Sequence, residues 1–248
     1  MWYDRKKRKG WESTMFFGKM KALTFSYDDG VEQDIRLIQL FNKYGLKCTF
    51  NINSGLLGKR EDLVRDGVTI HHNMLPLDQI KDVYRGHEIA AHTVTHPNLT
   101  HLTDKNEMIS QVEEDRLALT SLLGYDIVGM AYPGGRPNFT PEIAELLRQN
   151  TPLRYARTTL STYSFDLQTD LMQFRPTVYH HREMDEMFRL GEAFLKAQPT
   201  EPMLFYVWGH AYEFDIRNDW DRMEQFCAMM AGHDDIFYGT NRECLLGE

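Results

Sequence analysis

Asp28 and Asp29 stand side by side at the end of a strand-like run, Thr24-Phe25-Ser26-Tyr27-Asp28-Asp29-Gly30. Far along the chain, His92-Thr93-Val94-Thr95-His96-Pro97 offers two imidazoles four residues apart. A divalent metal that hydrolyses a substrate takes three protein ligands of the His and Asp type and keeps one position open for water. Asp29, His92 and His96 supply that set and leave Asp28 free to act on the water. A further histidine, in Trp208-Gly209-His210, is the candidate acid. Each fragment alone is weak, because Asp-Asp pairs commonly sit on solvated turns and spaced His pairs are commonly surface coincidences. Their order, each beside a strand-like segment, makes them one site.

At these residues the chain resembles the polysaccharide deacetylases of carbohydrate esterase family four, over roughly residues 23–240. The shared marks are the Asp-Asp-Gly run at a strand end, the His-(Ser/Thr)-x-x-His run, and a late histidine after a hydrophobic strand. The resemblance implies a distorted, incomplete (β/α) barrel and a metal at Asp29, His92 and His96. Zn²⁺ is the first choice for that metal, with Co²⁺, Ni²⁺ or Mn²⁺ as alternates. It implies Asp28 as the base that takes the water proton. The turn Tyr132-Pro133-Gly134 would bind the oxyanion, with the Gly134 N–H as the candidate donor. His210 would protonate the leaving amine, a role suited to an imidazole near neutral pH. One carboxylate and two neutral imidazoles around a dication leave about +1 of charge to favour an oxyanion.

The chain also departs from that family. An arginine that tethers the base is expected two or three residues before the oxyanion turn, but Gly129, Met130 and Ala131 stand there; Arg157 and Arg175 are the candidate replacements. Trp208 occupies a place where leucine lines the acetyl pocket, so a tight acyl pocket is expected. The acidic partner of His210 is not recognisable, and Asp166 is the candidate. Tyr212, just after His210, is a candidate sugar-stacking residue, whereas Trp220 reads as packing. Of the remaining histidines, His180-His181 reads mainly as strand residues whose side chains diverge. His71-His72 reads as solvated, and His101 as packing near a helix start.

The elements that must position these residues alternate. Strands are expected at 21–27, 47–52, 88–91, 125–132, 154–158, 203–208 and 235–238. Helices are expected at 34–44, 77–84, 104–123 (capped by Thr103), 140–149, 183–196 and 219–230. Residues 55–75 read as a polar loop. Six or seven β-α units imply an α/β fold with a parallel barrel or wound sheet of about seven strands. Asp28 and Asp29, His92, Pro133 and Gly134, and His210 each follow an expected strand. Functional residues of (β/α) barrels gather at such strand ends.

The expected layout is an N-terminal arm at 1–20 and one domain at 21–248. A formal net charge of −8 argues against nucleic acid as the main partner. The exception is the run Arg5-Lys6-Lys7-Arg8-Lys9, which could be a nuclear signal or a membrane-surface patch but not the start of a signal peptide, since no apolar stretch follows it; it is read as a solvated arm. No stretch is long and apolar enough to span a membrane. Cys48, Cys227 and Cys244 are odd in number and widely spaced, which with the missing export signal favours the cytoplasm. The leading reading is a metal-dependent deacetylase of an N-acetylated amino sugar or short oligosaccharide. The competing readings are an amidase or cyclic-amide hydrolase acting on a small nitrogenous metabolite, and a non-catalytic carbohydrate-binding protein. Oligomeric state is not legible.

Overall fold

A computed structural model describes residues 15–248. The basic run at 5–9 and most of the expected arm lie outside the described residues. Among the described residues there are ten strands: β1 (Lys21–Asp29), β2 (Cys48–Ile52), β3 (Asp62–Arg65), β4 (Val68–His71), β5 (Glu88–Ala91), β6 (Gly129–Ala131), β7 (Tyr155–Arg157), β8 (Val178–Tyr179), β9 (Met203–His210) and β10 (Ile236–Tyr238). The helices are α1 (Asp34–Tyr44), α2 (Ile80–Val83), α3 (Lys105–Leu123), α4 (Pro141–Asn150), α5 (Met184–Lys196), α6 (Glu213–Arg217), α7 (Trp220–Met230) and α8 (Asn241–Leu246).

Seven parallel strands run in the order β7-β6-β5-β2-β1-β9-β8 and curl into a half-barrel, an incomplete (β/α) barrel. Strand β1 lies inside it, between β2 and β9. Along one edge it pairs with β9 from Lys21 to Asp28. It also pairs with β10 at Lys21–Leu23 and with β2 at Phe25–Asp29. All nine residues of β1 are buried. Successive strand side chains point to opposite faces, and the two faces of β1 differ. Phe25 packs on Phe41 of α1, ring centroids 4.6 Å apart, the kind of burial worth about 1.5–3 kcal/mol per side chain. Thr24, Ser26 and Asp28 instead meet the polar side chains of Asn241 and Asn51. The centre of the half-barrel is therefore polar beneath the site.

Several boundaries differ from expectation. Residues 55–75 are not a plain loop: β3 and β4 form an antiparallel hairpin turned by Asp66 (φ 52°) and Gly67 (φ 78°). An Asp-Gly pair with both residues left-handed suits a tight hairpin turn. The strand expected at 125–132 shrinks to β6, and β1 and β9 each run two residues further, to Asp29 and His210. Helix α3 is capped by Asp104, not Thr103, because the Asp104 carboxylate accepts the Asn106 N–H at 2.8 Å. Strand β8 and helices α6 and α8 have no counterpart among the expected elements. Each is six residues or fewer, too short for a periodic pattern. No described helix is long and apolar enough to cross a membrane.

Candidate active site

The paired carboxylates depend on one backbone angle. Strand alternation would send Asp28 and Asp29 to opposite faces, but Asp29 adopts a left-handed φ of 81° and swings its carboxylate back. Gly30 (φ 70°) completes the bend, and a Cβ there would meet Ile52 Cγ2 at 2.8 Å. Both carboxylates line one cavity of about 330 Å³. Asp28 Oδ1 accepts from Asn51 Nδ2 at 2.8 Å. Its Oδ2 accepts from the guanidinium of Arg157, which is fully buried and lies 4.4 Å from the Trp208 ring centroid. Arg157 at the end of β7 thus stands where the sequence lacks an arginine before the turn. Arg175 does not take part, and the carboxylate of Asp166 is engaged by Ser164 at 2.7 Å instead of by His210.

His92 and His96 sit on the loop after β5. The backbone N–H of His92 donates to Asp115 Oδ2 at 2.8 Å, and Asn53 Nδ2 donates to Thr93 O at 2.9 Å. These bonds fix the loop from α3 and β2. His92 Nδ1 donates to Ala131 O at 2.8 Å, which places its proton there and turns the Nε2 lone pair into the cavity. Burial pushes the His92 pKa down to about 4, so the ring is neutral at pH 7. Nε2 is buried without a hydrogen-bond partner, 3.7 Å from Asp29 Oδ1. His96 Nε2 reaches the same oxygen at 3.5 Å. One ligand atom from each of Asp29, His92 and His96 lies within 4.8 Å of the others. A buried lone pair with no donor, converging with a carboxylate and a second imidazole, fits a divalent cation.

His72, expected to be solvated, has only 12% of its side chain exposed. Its Nε2 lies 3.2 Å from Asp29 Oδ2 and its Nδ1 3.3 Å from Glu61 Oε1. Burial would raise the Asp29 pKa, but the bond to His72 and the nearby His210, His96 and His92 outweigh it, holding the carboxyl well below its usual range. The one sequence signal for the hairpin that carries His72 toward the site is Asp66-Gly67, which the reading of 55–75 as a loop passes over. The bond itself, 43 residues along the chain, has no such signal.

His210 ends β9 and points inward, its Nε2 3.9 Å from Asp28 Oδ2. Its Nδ1 lies 3.1 Å from Glu213 Oε1, and Glu213 is fully buried on α6. Burial alone would lower the His210 pKa, but Glu213 leads the charges that raise it to about 9. Glu213 is held at about 2 against the pull of burial, with His210 the main cause. Glu213 is therefore the carboxylate beside His210, a partner sequence reasoning missed because it lies one helical turn on in a helix of only five residues. Trp208 lines the cavity and stacks on Tyr179, centroids 4.3 Å apart. Tyr212 and Tyr132 also line it. Tyr132 donates from its hydroxyl to Met172 O at 2.9 Å, and Asn138 Nδ2 donates to Tyr132 O at 2.8 Å, which fixes the Tyr132-Pro133-Gly134 turn. Gly134 needs its left-handed φ of 84°.

The other histidines fall elsewhere. His180 is buried between aromatic rings, 4.2 Å from the Phe214 centroid. His181 pairs with Asp66 at 3.3 Å in a neighbouring cavity. His71 is exposed beside Asp62, and His101 is exposed instead of packed.

The family profile described as Polysaccharide deacetylase matches residues 18–152. No curated protein matches the sequence. Among solved structures, one from Mycobacterium smegmatis assigned as a polysaccharide deacetylase is 16% identical with a TM-score of 0.63, covering 93% of this chain and 90% of that one. A CE4 family pseudoenzyme from Bacillus anthracis is 14% identical with a TM-score of 0.54, covering 91% of this chain and 66% of that one. A Streptococcus pyogenes deacetylase in complex with acetate is 21% identical with a TM-score of 0.47, covering 60% of this chain and 61% of that one. The chain thus spans less than two thirds of the last two. Identities this low carry the fold alone, and a pseudoenzyme among them leaves the chemistry to be argued from the side chains.

Proposed function

Because the chain belongs to the polysaccharide deacetylase family, we propose that it is a metal-dependent hydrolase removing the N-acetyl group of an amino sugar or short oligosaccharide. The observation that carries this reading is the unpartnered, buried Nε2 of His92 converging with Asp29 and His96. On this reading those three residues hold the metal, Zn²⁺ being the first choice for a His₂Asp set. A metal bound there supplies Lewis acidity and lowers the pKa of water. Residues 21–248 act as one domain, since β1 pairs with β9 and β10 from the C-terminal part of the chain.

The protein groups divide the proton work. Asp28 takes the proton of the attacking water, oriented by Asn51 and Arg157, one on each oxygen. Arg157 is a positioning residue: buried and paired, it fixes which lone pairs of Asp28 remain free. His210 carries a proton at Nε2, sustained by Glu213 behind it, and delivers it to the departing nitrogen. The N–H of Gly134 donates to the oxyanion. Trp208 closes the space behind the acetyl methyl.

The test is acetate release from N-acetylglucosamine and its short oligomers, using protein stripped of metal and then reloaded with Zn²⁺. Acetate release that disappears on stripping and returns on reloading is expected. Ring opening of cyclic amides, or ammonia from linear primary amides, with no acetate from any sugar would replace this reading with the amidase one. Neither product, with sugars still bound, would mark a binding protein.

A further inference from the structure

The β3–β4 hairpin is tied down across one end of the cavity. Arg65, the last residue of β3, donates from Nη1 to the Tyr212 hydroxyl at 3.0 Å and from Nη2 to the Tyr179 hydroxyl at 3.1 Å. Its guanidinium also lies 2.9 Å from the buried Glu213. One residue on, Asp66 pairs with Arg182 and with His181. At the hairpin's other end, Gln33 Nε2 donates to His71 O at 2.9 Å and His72 meets Asp29. A segment that leaves the sheet after β2 is thus fastened to β8, to the loop after β9 and to α6.

These contacts make the two ends of the cleft unequal. At the Arg65 end the cavity is lined by Tyr212 (4% exposed) and Trp208 (5%), with Glu213 closing the space behind Arg65. At the other end it is lined by His96, a third of whose side chain is exposed, and by the exposed Gly135 and Arg136. The cavity's 330 Å³ is near the lower limit of about 300–1,000 Å³ for small-molecule sites. A polymer deacetylated in its interior must leave such a cleft at both ends. A guanidinium with two hydroxyl contacts and a buried carboxylate partner does not give way cheaply, since parting it from Glu213 strands a buried charge.

We propose that the site takes a free N-acetylated sugar or the last residue of a chain, and that the hairpin, through Arg65, is what excludes chain interiors. This inference rests on the deacetylase reading above. Arg65 acts as a specificity-determining residue that sets which sugar of a chain can reach His210 and the paired carboxylates.

The experiment uses the Zn²⁺-loaded protein and an N-acetylglucosamine pentamer labelled with ¹⁸O at its reducing end to mark its direction. Fragment mass spectrometry locates the deacetylated residues early in the reaction. One terminal residue is expected to exceed each interior residue by roughly tenfold or more, within the range a pocket clash ordinarily gives. Interior residues reacting as fast as the ends would overturn the proposal outright, without any variant. In Arg65→Ala the interior share is expected to rise. That share is read within one digest, so a change in overall rate cancels. A folded Arg65→Ala protein with an unchanged terminal preference would also overturn the role of the hairpin. No acetate from the monomer or the pentamer would instead bring down the deacetylase reading beneath it.

Discussion

Asp29 divides its work between two oxygens. Oδ1 faces His92 and His96, whereas Oδ2 faces His72. Partners behind a metal ligand fix its orientation, and losing one typically costs 10–100-fold in metal affinity. His72→Ala is therefore expected to weaken Zn²⁺ binding by about that factor in a competition titration with a chelating dye. His72→Gln, whose amide N–H can still donate to Oδ2, is expected to recover part of the loss. Unchanged affinity in His72→Ala would show that Oδ2 needs no partner. A second contrast isolates His210. An amide leaves as an amine and needs a proton, whereas an activated aryl acetate leaves as a stable phenolate. His210→Ala is expected to slow N-acetyl sugar hydrolysis by about 10²–10⁴-fold while slowing aryl acetate hydrolysis far less. Equal losses on both substrates would assign His210 to binding or orientation. Residue types and spacing were enough to nominate Asp28, Asp29, His92, His96 and His210. They left His72 among the solvated residues and passed over Glu213, because a side-chain contact made across the fold leaves no local pattern.

Elements explain which of these residues share a face. In β9 the period of two puts Leu204, Tyr206, Trp208 and His210 on the inner side and Phe205 and Val207 on the outer. Phe205 accordingly packs against Phe226 of α7, and Trp208 lines the cavity with His210. The strand was legible, and so were α1 and the strand leading to His92, but a run apolar at every position from Met203 to Trp208 does not tell which face is inner. What failed were the elements whose local pattern is thin. The hairpin at 62–71 mixes charged and apolar residues, and only Asp66-Gly67 announced it. Asp29 departs from the strand pattern through a backbone angle that no residue type required. The placement of Trp208 carries a prediction of its own. With its indole held between Tyr179 and Arg157, little space remains beyond a methyl group. Trp208→Leu is expected to raise the rate on N-propionyl relative to N-acetyl glucosamine, with the wild type preferring acetyl by about 10-fold or more. If the variant loses stability but keeps the wild-type ratio, the indole is packing and does not gauge the acyl group.

The whole molecule sets the conditions under which the site survives. The alternation of strands and helices made a parallel barrel or wound sheet legible and the family resemblance narrowed it to an incomplete barrel, yet closure of the site needed contacts no window of sequence contains. The Arg157–Asp28 pair joins residues 129 positions apart, and Arg65 reaches Tyr212 across 147. The same long-range packing encloses His180. It is stacked near Tyr27 and Phe214, with Nδ1 3.3 Å from the Tyr27 hydroxyl. Gly209 makes this possible, because a Cβ there would strike the His180 ring at 1.9 Å. Burial pushes the His180 pKa down to about 3 from the ordinary 6.5. A histidine depressed in the folded state stabilises the fold above its unfolded pKa. That contribution is lost as pH falls below 6.5 toward the folded value, because the unfolded chain takes the proton and the folded chain refuses it. Between pH 7 and pH 5 His180 alone is expected to remove about 2 kcal/mol of stability. Urea unfolding at the two pH values, compared between wild type and His180→Gln, reads that share as a difference of differences. In the wild type the His180 ring resonances are expected not to titrate above about pH 4. A normal titration near pH 6.5 would mean that the ring meets water in the folded protein and that the enclosure around β9 and α6 is looser than these contacts require.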